Sequence, residues 1–234
     1  MAINVDILKT RALTALLFVA VMLVGLLWNE WSFLFLLTIV HFGCWYEFLK
    51  ILKKIYGENY SKYVLSGLIY ITAPILMMIH LGMPRNSVEG FTPAMNFDNT
   101  IPVVIIFSIW VNDTMAYLVG SFIGKTPFSK ISPKKTWEGT IGGMFLCVVA
   151  IGFIFPLLAE RFFNAEIPRQ TYFIIAGICA VFGTAGDLLE SKLKRTADIK
   201  DSGSIMPGHG GFLDRFDSFL IATPFVWLYL KLFV

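Results

Sequence analysis

Apolar residues come along this chain in long blocks separated by short polar stretches. A helix needs roughly 20 mostly apolar residues to cross a hydrocarbon core about 30 Å thick. Seven blocks approach that length, at 12–28, 31–49, 63–83, 101–123, 140–158, 170–189 and 217–234. The gap between the first two is so short that 12–49 predicts a tight helical hairpin. Pro74, Pro102 and Pro156 fall inside three of the blocks and are expected to kink or split their helices. No internal repeat is visible. The first block belongs to the same polytopic pattern and no small-residue cleavage site follows it, so a retained span is expected rather than a signal peptide. The expected fold class is an all-α polytopic integral membrane protein with about seven transmembrane helices. Residues 1–100 would form an N-terminal region of three spans. Residues 101–234 would form a region whose two polar loops carry the chemistry.

Composition agrees with that pattern. Of 234 residues, 56% are apolar and 15% charged, against about 45–50% and about 25% in soluble domains. A soluble globule of this size must turn a large share of its residues to water and cannot hide so much apolar surface. Disorder is excluded on the same grounds. A net charge of +3 is too small for the basic face of a nucleic-acid binder. Cys44, Cys147 and Cys179 lie inside apolar stretches and form neither a disulfide framework nor a zinc pattern, so they are expected to be small packing residues. The basic residues set an orientation. With the N-terminus in the cytoplasm, 15 of the 19 Lys and Arg lie on the inner side, and the outer loops hold only Arg85, Arg161 and Arg169. The expectation is N-terminus inside and C-terminus outside.

Ionisable groups in spans are expensive and usually face a polar cavity. Asn112-Asp113 interrupts the run IPVVIIFSIWVNDTMAYLVG. The alternative there is a helix-packing hydrogen bond from Asn112 beside a protonated Asp113. Asp187 and Glu190 close the sixth block at i, i+3 spacing, on one helical face with Ser191 and Lys194 nearby. Asp214 and Asp217 open the last block with the same spacing, and Arg215 turns away. Carboxylates at a helix start can simply serve the helix dipole. That account gives no shared reason for acids from three spans to gather at one membrane face. A divalent ion does, and Mg²⁺ takes a few carboxylates plus water and substrate phosphate.

The loops supply the opposite charge. Lys134 and Lys135 follow Ser132-Pro133, a predicted helix start, and lysines beside a helix N-terminus suit a phosphate. Positive-inside bias alone would explain loop lysines, but not the Gly124, Gly139, Gly142 and Gly143 around them. In the second loop, Gly203, Gly208, Gly210 and Gly211 let backbone N–H groups approach an anion closely. There is no GxxxxGK[ST], so this is not a P-loop. A lone loop histidine such as His209 does not make a general base by itself.

These residues carry a resemblance. Ser191-Lys192-Leu193-Lys194-Arg195, Lys200-Asp201-Ser202-Gly203, Pro207-Gly208-His209-Gly210-Gly211 and Leu213-Asp214-Arg215-Phe216-Asp217 resemble, in order and spacing, the signature of the phosphatidate cytidylyltransferase family (CDP-diacylglycerol synthases). Asn112-Asp113, the run Ser132 to Gly139, and Gly186-Asp187 with Glu190-Ser191 resemble further motifs of that family. The likeness is specific over about residues 110–220, and upstream only hydrophobic character agrees. It implies conversion of CTP and phosphatidate to CDP-diacylglycerol and pyrophosphate. It also implies a helical membrane fold, a homodimer, Mg²⁺ at the carboxylates and a monovalent cation such as K⁺ beside it. On that basis Asp214, Asp187 and Asp217 are the expected metal ligands and, with Lys135, the expected catalytic set. Asn112, Asp113, Lys134, Ser191, Lys194, Arg195, Lys200, Asp201, Gly208, His209, Gly210, Gly211 and Arg215 are the expected substrate contacts. The expected setting is a bacterial inner membrane with the site facing the cytoplasm, and no nucleic acid as partner.

A CTP-dependent polyprenol or phytol kinase is the nearest alternative, distinguished by release of CDP instead of pyrophosphate. A CDP-archaeol-type synthase would run the same chemistry on an ether lipid. An ion-coupled transporter is the alternative from another class. It predicts acids spread through the bilayer depth and paired halves, whereas here they cluster at one face.

Overall fold

The computed structural model describes residues 5–83, 97–163, 167–205 and 210–234. Among the described residues the regular elements are all helices, with one isolated bridge between Pro127 and Thr136. In chain order the helices are α1 (Val5–Leu27), α2 (Glu30–Tyr56), α3 (Ala73–Gly82), α4 (Thr100–Ile123), α5 (Trp137–Phe163), α6 (Arg169–Thr196) and α7 (Leu213–Phe233). The chain divides into two compact units. One is Met1–Thr72 with Leu193–Phe216; the other is Ala73–Lys192 with Asp217–Val234.

In the first unit, α1 and α2 form the predicted hairpin. Asn29 accepts the Ser32 N–H at 2.8 Å, and the Ser32 hydroxyl accepts the Asn29 N–H at 3.1 Å. This reciprocal cap uses two donors that a helix start leaves orphaned. Phe33, Leu36, Leu37, Val40, Cys44, Phe48 and Ile51 are buried on one face of α2, at helical spacing. Phe35, Phe42 and Tyr46 point outward, which suits a helix whose solvent is lipid. A π-helical turn, Leu68–Thr72, follows a 3₁₀ segment, Gly57–Tyr63. Its last hydroxyl, on Thr72, lies 3.0 Å from His41 Nε2 and accepts the Trp45 indole N–H at 3.0 Å.

In the second unit α4 and α5 cross at close range. A Cβ on Gly143 would lie 2.6 Å from the Ala116 backbone nitrogen, and one on Gly139 would lie 2.8 Å from the Ala116 carbonyl oxygen. Small residues let the two backbones touch, the usual device where lipid supplies no hydrophobic drive between helices. The Phe182 and Phe225 rings stack at 3.6 Å between α6 and α7. All three cysteines are buried and none is in a disulfide, as packing residues should be.

Among the described residues, five helices are long and apolar enough to cross a membrane: α2 with its 3₁₀ extension, α4, α5, α6 and α7. Two further apolar helical stretches, Ala12–Leu27 within α1 and Leu68–Gly82, coincide with the first and third predicted blocks. Pro74 accounts for the shortness of the third. It sits in the first turn of α3, where its missing N–H is tolerated, and the backbone before it adopts the π-turn. Pro102 likewise occupies the first turn of α4, while Pro156 lies inside α5. The last two helices extend past their apolar blocks. α6 continues to Thr196 and α7 begins at Leu213, so Asp187 to Arg195 share one helix and Asp214 opens another. The protein is an all-α polytopic integral membrane protein.

Candidate active site

The second unit holds a lysine–aspartate pair framed by a structured loop. α5 starts at Trp137 because Thr136 caps it, its hydroxyl accepting the Gly139 N–H at 3.1 Å. The helix start expected at Ser132-Pro133 is therefore corrected. Those residues form a turn in which the Ser132 carbonyl accepts the Lys135 N–H at 3.1 Å, with proline at its favoured second position. Glu138 folds the loop back onto the helix. Its carboxylate accepts the N–H groups of Lys125 and Thr126 at 3.2 and 3.1 Å and the Thr126 hydroxyl at 2.8 Å. Two backbone bonds close the loop, Phe128 N–H to the Lys135 carbonyl at 2.8 Å and Trp137 N–H to the Thr126 carbonyl at 2.9 Å. This frame brings Lys135 Nζ to 2.6 Å from Asp187 Oδ2 on α6.

Around the pair lies a cavity of about 400 Å³. Asn112 and Asp113 enter it from α4, Lys134 and Lys135 from the loop, and Asp187 from α6. These are five sequence-predicted residues from three separate segments. Hydroxyls that sequence reasoning missed line it too, on Tyr117, Ser121, Ser132, Thr136, Thr140 and Thr184. Their only signal was position: several recur on the helix faces that also carry Asn112 and Asp187. Gly139 and Gly143, read from sequence as companions of the lysines, serve the helix crossing beneath them.

Asp217 belongs to the same unit. It is 7% exposed, and its Oδ1 accepts the Ser218 N–H at 2.6 Å. Asp187, Asp113 and Lys135 all act on it electrostatically. α6 and α7 pass close at this level, where a Cβ on Gly186 would lie 2.5 Å from the Asp217 carbonyl oxygen. Glu190, one turn along α6 from Asp187, is 1% exposed. Among the described residues, no three His, Cys, Asp or Glu side chains stand close enough to cage a metal by themselves. Mg²⁺ does not need such a cage; one or two carboxylates with water and substrate phosphate suffice. The all-oxygen donors Asp187 and Asp217 fit that requirement.

The first unit holds Asp214 in a denser network. Its Oδ1 pairs with Lys194 Nζ at 2.5 Å. Its Oδ2 is within hydrogen-bond distance of the Gly211 N–H at 2.8 Å, the Ser202 N–H at 2.9 Å and the Ser202 hydroxyl at 2.9 Å. Gly210 has φ +83°, a conformation that favours glycine, and a Cβ there would also strike the Asp214 carboxylate. Gly211 is buried and gives its N–H to Asp214. In this structure the anions that these glycines approach are the protein's own carboxylates.

One of those carboxylates was not anticipated. Glu47 of α2 is 4% exposed and accepts the Phe212 N–H at 2.9 Å, the Leu213 N–H at 2.9 Å and a bond from Ser202 Oγ at 2.7 Å. The signal that could have found it is an acid inside the apolar block 31–49.

The remaining expected contacts are spread along these segments. Ser191 is half-buried on α6, while Arg195 and Lys200 are exposed. Asp201, beside Ser202, and Arg215, beside Asp214, are also exposed. Gly208 and His209 lie outside the described residues.

A model described as the cytidylyltransferase family matches residues 68–233. A protein of Bacillus subtilis named phosphatidate cytidylyltransferase is 48% identical over 126 residues, covering 53% of this chain and 45% of that protein. A Rickettsia felis protein of the same name is 34% identical over 221 residues, covering 92% of this chain and 88% of its own. Phosphatidate cytidylyltransferase 4, chloroplastic, of Arabidopsis thaliana is 40% identical over 134 residues, which is 56% of this chain and 32% of the plant protein. The chain thus spans under half of the Bacillus and Arabidopsis relatives and most of the Rickettsia one. The family match contains the lysine–aspartate pairs of both units and leaves Glu47 upstream, and the likeness to the Rickettsia protein runs through nearly the whole chain. The chain belongs to the cytidylyltransferase family.

Proposed function

We propose that this protein is a phosphatidate cytidylyltransferase, making CDP-diacylglycerol and pyrophosphate from CTP and phosphatidate in phospholipid synthesis. The observation that carries the reading is the cavity in which Lys135 meets Asp187, with Lys134, Asn112 and Asp113 on its walls, in a membrane chain of this family. A phosphatidate phosphate oxygen attacks the α-phosphorus of CTP in line. The bond from that phosphorus to the bridging oxygen breaks, and pyrophosphate carries the electron pair away. The attacking phosphate is already an anion, so no protein nucleophile is required.

What the protein must do is position two polyanions and balance their charge. Lys135 is held by its turn and by the Glu138 frame, so its ammonium is ready to move from Asp187 to a phosphate. Lys134 is exposed at the cavity mouth and offers a second charge. Asn112 and the hydroxyls of Thr136, Thr140 and Thr184 supply neutral donors and acceptors that orient without adding charge. Mg²⁺ would be held by Asp187 and Asp217, where it would neutralise charge developing on the phosphates. Asp214, expected as a third ligand, is the residue whose ion pair with Lys194 would have to open for that role. The reading also includes K⁺ as a second cation and a homodimer. The basic-residue asymmetry supports a site on the cytoplasmic face of a bacterial inner membrane, where water-borne CTP can meet a lipid held by its acyl chains.

The test is product analysis. Purified protein in mixed micelles with phosphatidate, CTP and Mg²⁺ is expected to release one pyrophosphate per CDP-diacylglycerol formed. Release of CDP, or turnover independent of phosphatidate, would overturn the assignment.

A further inference from the structure

An ionised carboxylate inside an apolar span is costly unless fully hydrogen-bonded. Glu47 is met by three donors, most of them at the start of α7. Two of its three donors are the N–H groups of Phe212 and Leu213, at the helix terminus where donors lack intrahelical partners and partial positive charge accumulates. One turn before Glu47, Gly43 lies against the Phe212 ring, and a Cβ there would overlap it. α2 therefore grips residue 212 by its ring and by its N–H. A Cβ on Gly203 or Gly211 would strike the Glu47 oxygens, so those two positions must lack a side chain for the carboxylate to fit.

The third donor extends the grip. Ser202 Oγ lies 2.7 Å from Glu47 Oε2 and 2.9 Å from Asp214 Oδ2, and it accepts the Asp214 N–H at 3.3 Å. A hydroxyl has one proton, so it bonds one of the two carboxylates at a time and ties their positions together. The result is a continuous row, Glu47, Ser202, Asp214, Lys194, within one compact unit. Replacing Glu47 would loosen the start of α7 and the aim of the Asp214 carboxylate together.

We infer that Glu47 is a positioning residue for cytidylyl transfer: it touches no substrate and acts through Ser202 and the α7 N-terminus on Asp214. This rests on the function proposed above. Glu47→Gln keeps the side-chain volume but faces converging donors with one fewer acceptor. Ser202→Ala cuts the row between the carboxylates and leaves the two backbone donors on Glu47 in place.

The test measures both variants, the double variant and the full wild-type chain in phosphatidate micelles, with kcat and the KM for CTP taken separately. Each single variant is expected to lose about tenfold to 100-fold in kcat, the range for residues that orient a site from behind. The double variant is expected to fall well short of the product of the two losses, because both act through one row. Hydrogen exchange at the Gly211, Phe212 and Leu213 amides is expected to quicken in Glu47→Gln. A purely structural role predicts a lower melting temperature with kcat per folded molecule unchanged, and that result overturns the inference. Should Glu47→Gln fail to fold, wild-type kcat in Ser202→Ala overturns it equally. If wild type makes no CDP-diacylglycerol, the proposed reaction fails, and the exchange measurement still decides whether Glu47 holds the start of α7.

Discussion

Two lysine–aspartate pairs, Lys135–Asp187 and Lys194–Asp214, have nearly the same length, 2.6 and 2.5 Å. Their surroundings differ. In the first, both side chains are about a third exposed, at 31% and 30%, and they line an open cavity. In the second they are 15% and 9% exposed, and backbone N–H groups and a serine complete the shell of the aspartate. An exposed pair contributes little to stability because water and salt screen it, so it is free to exchange partners with an incoming phosphate. A pair inside a complete shell is costly to open. On the proposed function, the first pair is placed to meet a phosphate, and the second fixes the start of α7 and, with it, the direction of the Asp214 carboxylate.

The largest effect that sharpens this contrast is on turnover. Asp187→Asn and Lys135→Ala are each expected to lower kcat/KM by about 100-fold or more, the scale for removing a group aimed at developing charge. Their melting temperatures should stay close to wild type. Radiolabelled CTP incorporation and a thermal melt in detergent check the two halves, and a large melting shift with intact turnover would break the comparison.

Next comes the reverse case. Lys194→Met is expected to lose about 3 kcal/mol of stability, since it leaves a largely buried carboxylate without its charged partner. Denaturant titration of the purified protein measures it. A loss as small as that of an exposed pair would mean the two environments are equivalent after all.

Gly143→Ala probes the scaffold beneath the exposed pair. The new methyl would push against the Ala116 backbone. Overpacking of this kind costs about 1–3 kcal/mol, seen as a lower melting temperature.

The smallest effect belongs to Lys134→Ala. This exposed side chain is expected to raise the KM for CTP about fivefold with kcat unchanged, because an exposed ionic contact is worth at most about 1 kcal/mol. Initial rates across a CTP series decide it.

Much of the fold was legible because lipid imposes a simple rule: a spanning segment must satisfy its own backbone and show apolar side chains outward. Apolar blocks therefore mark helices without any knowledge of neighbours, and the 12–49 hairpin follows from a gap too short for anything else. Among the cavity residues, Asn112, Asp113 and Asp187 were legible as polar groups inside apolar blocks, and Lys134 and Lys135 through the motif from Ser132 to Gly139. The Ser132-Pro133 start was misread because the same dipeptide suits a turn, and the choice fell to the Thr136 cap further on. The glycines near the lysines had no stated role in the sequence, because a glycine has the same letter whether it admits a ligand or a neighbouring helix, and Gly139 and Gly143 prove to admit a helix.

Glu47 marks the boundary between what sequence and tertiary structure decide. Its partners Ser202, Phe212 and Leu213 lie 155 to 166 residues away along the chain. A local pattern records how each segment meets its solvent, and that determined the helices, the membrane and the polar positions. Which polar group receives which donor depends on where α2 and the start of α7 come together in space. Only the fold determined that Asp214 is enclosed by backbone N–H groups while Asp187 remains open to a cavity, because hydrogen bonding is set by distance and direction rather than by order along the chain.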